Sequence, residues 1–320
     1  MRRQLGPSQL SGDGRTAERR VTPSGLLDLA IVYLIWGSTY LGIRVAVREG
    51  AGFPPFALGF TRLVVAGALL FAWSAFRGLR LRLTRTEMIT LAISGLLLWP
   101  GANGLVSWAE QRADSGYAAL LVATVPIWTA AIDALVSRRR PSMRLGVSLL
   151  VGFAGVTVLA APRLLASGGI DAFSVVLLLI APICWAVGSV LQMRRPVSVS
   201  PWVGAAYLHA FGAMGFAVLT LLMREPLPRP TAAAWGAWAY LVIAGSLIAF
   251  PAFVRILAKL PTNIAMTYAY VNPVVAVILG WMILSEPVTP VMLVGMALVL
   301  AGVWGVFGER AGVRRTPDRS

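Results

Sequence analysis

Few residues in this sequence could perform chemistry, and most of them lie inside long apolar runs. The chain has one cysteine, Cys184, and one histidine, His209. A disulfide within the chain is therefore impossible, and zinc sites built from several thiolates or imidazoles lack their ligands. No nucleotide-binding motif is present either. The sequence thus predicts no metal and no cofactor, and it disfavours Cys/His nucleophilic catalysis.

Three ionisable residues lie in or beside apolar runs, where a charge costs about 2.5–3.5 kcal/mol near the centre of a membrane helix. Arg62 would either bind an anionic substrate group or clamp backbone carbonyls or Glu110. Glu110 would be either solvated at an interface or a proton-binding carboxylate, and His209 either a hydrogen-bonded structural group or a proton gate. We keep all three as candidates for ion coupling. Asp133, in the fourth apolar run, is expected to reach Arg138 or Arg140 of the basic cluster that follows it, with a proton-binding site as the alternative.

Aromatic and amide side chains in the same runs could bind a small solute. Aromatic rings pack against apolar groups and attract cations, whereas amides either hydrogen-bond a substrate or join helices. Asn272 precedes Pro273, where a helix loses a backbone hydrogen bond. The candidates for substrate binding are Trp36, Tyr40, Asn103, Trp185, Tyr268, Tyr270 and Asn272.

The elements that must position these residues are transmembrane helices. The chain has 320 residues, of which 58% are hydrophobic and 13% charged, whereas soluble domains carry about 25% charged residues. The net charge of +15 could indicate a nucleic-acid partner, but the arginines fall in short gaps between apolar runs. We therefore expect membrane lipid around most of the chain and no nucleic acid.

Ten apolar segments approach the roughly 20 residues with which a helix crosses the bilayer core. They are 26–47, 55–76, 88–108, 115–136, 145–161, 172–191, 202–223, 234–257, 263–284 and 290–307. The first segment is longer than the apolar region of a signal peptide, which spans about 7–15 residues. Residues 1–25 are expected to form a disordered cytoplasmic arm, and residues 308–320 a cytoplasmic tail.

Basic residues predict the orientation of the segments, because Lys and Arg concentrate on the cytoplasmic side. With the N-terminus inside, 21 of the 28 Lys and Arg residues fall in inside segments and five in outside loops. Both termini are therefore expected in the cytoplasm, which requires an even number of spans. The predicted location is the inner (plasma) membrane.

A shift of the chain by 147 residues places Pro126 on Pro273 and Ala154–Val156 on Ala301–Val303. Residues 26–161 and 172–307 would then be two five-helix repeats, and the second would cross the membrane upside down because five is odd. Secondary transporters commonly use inverted repeats, with the substrate site near the midplane. The predicted fold class is an all-α membrane protein with ten transmembrane helices in two inverted five-helix repeats.

Five motifs, in order along the chain, carry a family resemblance. They are Trp36–Tyr40, Gly101–Val106 continuing to Ala109–Gln111, Trp185–Ser189, Tyr268–Val277 and Glu286. The sequence resembles the EamA-domain transporters of the drug/metabolite transporter superfamily, in its YedA-like exporter branch. The resemblance implies two five-helix repeats around a central cavity, and export or exchange of small metabolites such as amino acids or drug-like solutes.

The leading hypothesis is a secondary exporter that works by alternating access and is not an enzyme. Its expected partners are a small-molecule substrate and lipid, with protons and an exchanged solute as alternative sources of energy. The expected oligomeric state is a monomer or a homodimer. The alternatives are a passive channel or a non-transporting sensor and, as the weakest, a membrane-embedded enzyme, for which acids and histidines are too scattered.

Overall fold

A computed structural model describes residues 21–113, 115–138, 141–166, 171–284 and 288–313, and within these ranges the chain is helical and contains no strand. Helix formation follows from the apolar runs, since a backbone in lipid must satisfy its own hydrogen bonds. The all-α prediction is confirmed for these residues. The helices are α1 (Pro23–Val47), α2 (Pro55–Phe76), α3 (Arg85–Leu98), α4 (Leu105–Ala109), α5 (Ser115–Val122), α6 (Val125–Ser137), α7 (Met143–Ala166), α8 (Ala172–Arg194), α9 (Pro201–Leu222), α10 (Ala232–Tyr240), α11 (Phe250–Lys259), α12 (Thr262–Ala265), α13 (Tyr268–Leu284) and α14 (Pro290–Val313).

Nine helical segments of the described chain are long and apolar enough to cross a membrane, and Met143–Val158 is a shorter apolar helix. The predicted runs overlap these segments, with ends that differ by a few residues. Caps account for some of the differences, because side-chain hydrogen bonds set where a helix begins. Thr84, for example, caps α3 in a capping box with Glu87, so this helix begins three residues before the predicted run.

Two long segments contain a π-helical stretch in the middle. Trp99–Gly104 joins α3 to α4, and Leu241–Ala249 joins α10 to α11. Pro100 and Pro251 lack the backbone N–H that an α-helix needs at these places, which favours the change of hydrogen-bonding pattern. The wider turns rotate the side chains that follow them. Such stretches occur frequently at functional sites.

Two further segments are interrupted by a short turn. Helix α5 ends at Val122 and α6 begins at Val125, whereas α12 ends at Ala265 and α13 begins at Tyr268. These turns lie in the fourth and ninth predicted runs, which the shift of the chain superimposes. The π-helical stretches lie in the third and eighth predicted runs, which also correspond.

The two halves of the chain interleave. In the described residues, α1 packs against α10, α11 and α13 of the second half, and α8 packs against α3, α4, α5 and α6 of the first. Helix α2 packs against α9, and α7 against α14. A Cβ on Gly302 would lie 2.5 Å from the backbone nitrogen of Gly152, so this last pair needs glycine for its close approach.

Ion pairs join helix ends at one face of the bundle. Asp28 of α1 binds Arg255 at 2.7 Å and Lys259 at 3.0 Å, both on α11. Arg194 binds Asp133 at 2.8 Å. Asp133 therefore pairs with a cation of α8, which packs directly on α6, and not with Arg138 as expected; Arg140, the other expected partner, lies outside the described residues.

The opposite face carries a weaker ion pair and a helix cap. Arg112 lies 3.7 Å from Asp171, and hydrogen bonding from the Ser174 hydroxyl holds the pKa of the Asp171 carboxyl below its ordinary value. The carboxylate of Glu225 accepts hydrogen bonds from the first backbone N–H groups of α2, those of Phe56 at 3.0 Å and Ala57 at 2.8 Å. This cap ties α9 to α2 across the two halves.

Candidate functional site

A cavity of about 60 Å³ lies between the two halves. Its lining comes from α1, α2, the stretch Trp99–Gly104, α4 and α5 of the first half, and from α8 and α13 of the second. The lining residues are Trp36, Thr39, Tyr40, Ile43, Arg62, Trp99, Ala102, Asn103, Val106, Val122, Ala181, Trp185, Tyr268 and Asn272.

Aromatic rings form one wall of the cavity. The ring of Trp36 lies 5.4 Å from that of Trp185 and 5.2 Å from that of Tyr268, both edge to face. Phe253 supports this wall from behind, 5.0 Å from Trp36 and 5.3 Å from Trp185. The indole N–H of Trp36 donates to the carbonyl of Gly245 at 3.4 Å, which fixes the ring. Edge-to-face contacts of this kind hold flat walls rigid.

Arg62 is the charged group of the cavity lining. Its side chain is buried, its Nε donates to the Ser246 hydroxyl at 2.8 Å, and its guanidinium carbon lies 5.1 Å from the centre of the Trp99 ring. No carboxylate among the described residues lies within 4.0 Å of it. The interpretation of Arg62 as a clamp on Glu110 is wrong, because both carboxylate oxygens of Glu110 lack a hydrogen-bond partner.

Glu110 lies outside the cavity lining, one helical turn beyond Val106. Its backbone N–H donates to the Val106 carbonyl at 2.9 Å, and its own carbonyl accepts a hydrogen bond from the Arg44 guanidinium. The side chain is fully buried. A buried carboxylate with no hydrogen-bond partner is costly unless it is protonated or receives a cation.

His209 and Tyr270 also lie away from the cavity. The imidazole of His209 lies between Trp99 and Phe250, 4.9 and 4.8 Å from their ring centres, and its Nδ1 is 2.7 Å from the Ala205 carbonyl. The hydroxyl of Tyr270 donates to the Leu149 carbonyl of α7 at 2.9 Å. The structure thus brings the predicted binding residues together in one cavity, except for Tyr270.

Sequence reasoning missed Trp99 and Ser246, which position Arg62. Both lie in apolar runs, where hydropathy does not distinguish a side chain that faces a cavity from one that faces lipid. A local signal was present at Trp99, because Pro100 followed by Gly101 predicts an irregular helix. No comparable signal marks Ser246. Within the part of the chain that the structure describes, no cluster of three or more metal-ligating side chains occurs.

A helical, multi-pass membrane protein with a buried cavity between interleaved halves has the architecture of a solute carrier. The chain belongs to the EamA-like transporter family, whose model matches residues 23–161 and 172–308. A solved crystal structure superposes with a TM-score of 0.74 and 23% identity over 92% of this chain and 100% of that one, which supports the fold.

Two relatives illustrate the family. The chain is 33% identical over 277 residues to the "Uncharacterized inner membrane transporter YedA" of Escherichia coli (strain K12), covering 86% of this chain and 88% of the relative. It is 25% identical over 297 residues to the "Probable terminal-alkyne amino-acid exporter" of Streptantibioticus cattleyicolor, covering 91% and 97%. A general role as a transporter follows from this membership.

Proposed function

We propose that this protein is a secondary transporter that exports or exchanges small organic metabolites across the inner membrane by alternating access. The observation that carries the proposal is the cavity between the halves, buried within the bundle and lined by aromatic, amide and guanidinium groups. A carrier needs a solute site that two rigid units can expose in turn, and a cavity at their interface meets this need.

The proposed architecture is ten spans in two inverted repeats, 26–161 and 172–307. Its support is that the first helix of each half makes corresponding contacts in the other half. Helix α1 packs on α13 as α8 packs on α6, and α1 packs on α11 as α8 packs on α4. Each half also has a π-helical stretch in its third predicted run and a short turn in its fourth. Met143–Val158 would be the fifth span, paired with α14.

The orientation we propose places both termini in the cytoplasm. The face that carries the Asp28–Arg255–Lys259 ion pairs would be cytoplasmic, because it also holds most of the loop arginines. On this assignment Glu110, at the far end of its helical segment, lies toward the outside. Protons entering from outside would reach it first.

The proposed substrate-binding residues are the predicted ones that line the cavity, namely Trp36, Tyr40, Asn103, Trp185, Tyr268 and Asn272. Their rings would hold an apolar part of the solute, and the amides would orient polar groups. The name of the S. cattleyicolor relative supports amino acids as one substrate class. If the carrier uses protons, Glu110 is the proposed proton-binding group and His209 the second candidate.

Counterflow in proteoliposomes tests the proposal against a passive channel. Vesicles containing the full chain are loaded with one unlabelled solute from a panel of amino acids, amines and aromatic acids, and uptake of the labelled solute is followed. A carrier shows faster uptake when the same solute is inside, whereas a channel does not. Equal uptake into loaded and empty vesicles across the panel would overturn the alternating-access proposal.

A further inference from the structure

The charge inside the cavity is of one sign. Arg62 is the single charged side chain among the lining residues that the structure describes, and the lining includes no carboxylate. The guanidinium has five N–H donors, but among the described residues it makes one hydrogen bond, from Nε to the Ser246 hydroxyl. The face of the Trp99 ring offers weak additional stabilisation at 5.1 Å.

A buried cation without an anion is unstable in a membrane protein unless an anion or water reaches it. Arg62 is 3% exposed and is one of the residues that line the cavity. The local backbone keeps space for the guanidinium group, because a Cβ on Gly245 would lie 3.0 Å from Nη2. Gly245 and Ser246 both belong to the π-helical stretch Leu241–Ala249, so this irregular stretch positions the Arg62 side chain.

We propose that the transported solute is an organic monocarboxylate, whose carboxylate binds the Arg62 guanidinium while its apolar body lies against Trp36, Trp185 and Tyr268. The inference rests on the proposed transport function and names its substrate class. Arginine is suited to planar, two-point hydrogen bonding with a carboxylate.

Other charge states fit the cavity less well. A phosphate dianion would leave one negative charge without a partner, because the lining described here offers a single cation. An amine would approach Arg62 without any carboxylate in the lining to offset the repulsion. A monocarboxylate without a second charged group neutralises the site, and the complex would carry no net charge through the conformational change. A zwitterionic amino acid would leave the charge of Arg62 in place, so among the metabolites of the proposed function this inference favours acids without an ammonium group.

Equilibrium binding to the purified full chain tests the inference, with tryptophan fluorescence as the readout because Trp36, Trp99 and Trp185 line the cavity. The probes are 3-phenylpropanoate, its neutral isostere 3-phenylpropanamide, and the cation 3-phenylpropylamine. The carboxylate is expected to bind at least about tenfold more tightly than the amide, the ratio that a charge-assisted hydrogen bond provides.

The variant R62Q is expected to bind the amide with an unchanged Kd and to lose the preference for the carboxylate. R62K keeps the charge but not the two-point geometry, and it should retain a reduced preference; it serves as the test if R62Q does not fold. R77Q is the matched control, because Arg77 lies over Trp73 outside the cavity. This variant should keep the wild-type ratio.

The inference is overturned if wild-type protein binds the amide or the amine as tightly as the carboxylate, if it binds none of the probes, or if R62Q keeps the preference. The counterflow experiment separates this failure from that of the proposed function. Counterflow of amines or neutral solutes alone would overturn the monocarboxylate inference and support the proposed carrier. Arg62-dependent carboxylate binding without counterflow would support the inference and overturn the proposed carrier.

Discussion

The indole rings of Trp36 and Trp185 meet edge to face, with centroids 5.4 Å apart and ring planes at 84°. Trp36 belongs to α1 and Trp185 to α8, the first helices of the two halves. Both line the cavity, so the contact joins the halves at the surface that a solute would touch. Any rocking of the halves must move these two rings relative to each other.

Replacing Trp36 or Trp185 with alanine is expected to raise the KM for transport about tenfold, because each ring supplies wall area and holds the other in place. Membrane insertion should be unaffected. W304A is a matched control, since Trp304 is 75% exposed on the outside of α14. Unchanged transport kinetics in both cavity variants would show that the two rings do not belong to the substrate site.

The substitution E110Q tests proton coupling. The fully buried Glu110 carboxylate has no hydrogen-bond partner among the described residues, so its charge must be offset by a proton or by the nearby Arg44 guanidinium, which donates to the Glu110 backbone carbonyl. We expect E110Q to lose the pH dependence of uphill export but to keep substrate exchange at equal pH on both sides. Transport driven by an imposed pH gradient is the measurement. Full proton-driven export by E110Q would exclude Glu110 and direct attention to His209.

The substitution D28N should loosen the face at which α1 meets α11, because Asp28 is buried and binds two cations at 2.7 and 3.0 Å. A cysteine introduced by T267C reports on this face. In the D28N protein we expect it to react with a hydrophilic maleimide about tenfold faster than in the protein that keeps Asp28, which corresponds to a loss of ~1.4 kcal/mol in the free energy that holds the face closed. Thr267 is buried and accepts or donates a 2.6 Å hydrogen bond with Tyr33.

The chain has one cysteine, so C184A alone provides a cysteine-free background for this labelling. D171N is the control, because Asp171 forms the weaker 3.7 Å ion pair at the opposite face. Equal labelling rates of T267C with and without D28N would show that the ion pairs do not hold this face closed.

The substitution Y270F separates packing from substrate binding. The Tyr270 hydroxyl donates to the Leu149 carbonyl and does not line the cavity. We expect a loss of stability of about 1 kcal/mol, seen as a lower Tm, with an unchanged KM. A changed KM at unchanged Tm would return Tyr270 to the set of binding residues.

The orientation is tested by reporter fusions. Because most Lys and Arg residues fall on one side of the predicted spans, a reporter after Ser320 should be cytoplasmic and one inserted between α7 and α8 should be outside. A periplasmic C-terminus would contradict the ten-span arrangement with both termini inside.

The helices were predictable because lipid leaves the backbone no alternative, and apolar runs such as 172–191 mark them directly. Motifs also placed Trp36 and Trp185 correctly in one cavity. The backbone geometry and the side-chain partners within these runs were not predictable. Hydropathy carries no information on the change to π-helical bonding that brings Ser246 to Arg62, and the pairing of Asp133 with Arg194 depends on which helices become neighbours.

The interleaving of the halves has a consequence for biogenesis. Helix α1 leaves the ribosome before α10, α11 and α13, the helices of the second half that pack against it. Until α11 is made, Asp28 has neither Arg255 nor Lys259 to offset its charge. Insertion of α1 must therefore tolerate an unpaired carboxylate for most of translation, and a chain truncated before α11 would lack those two cations in the membrane, where quality-control proteases could recognise the unpaired carboxylate.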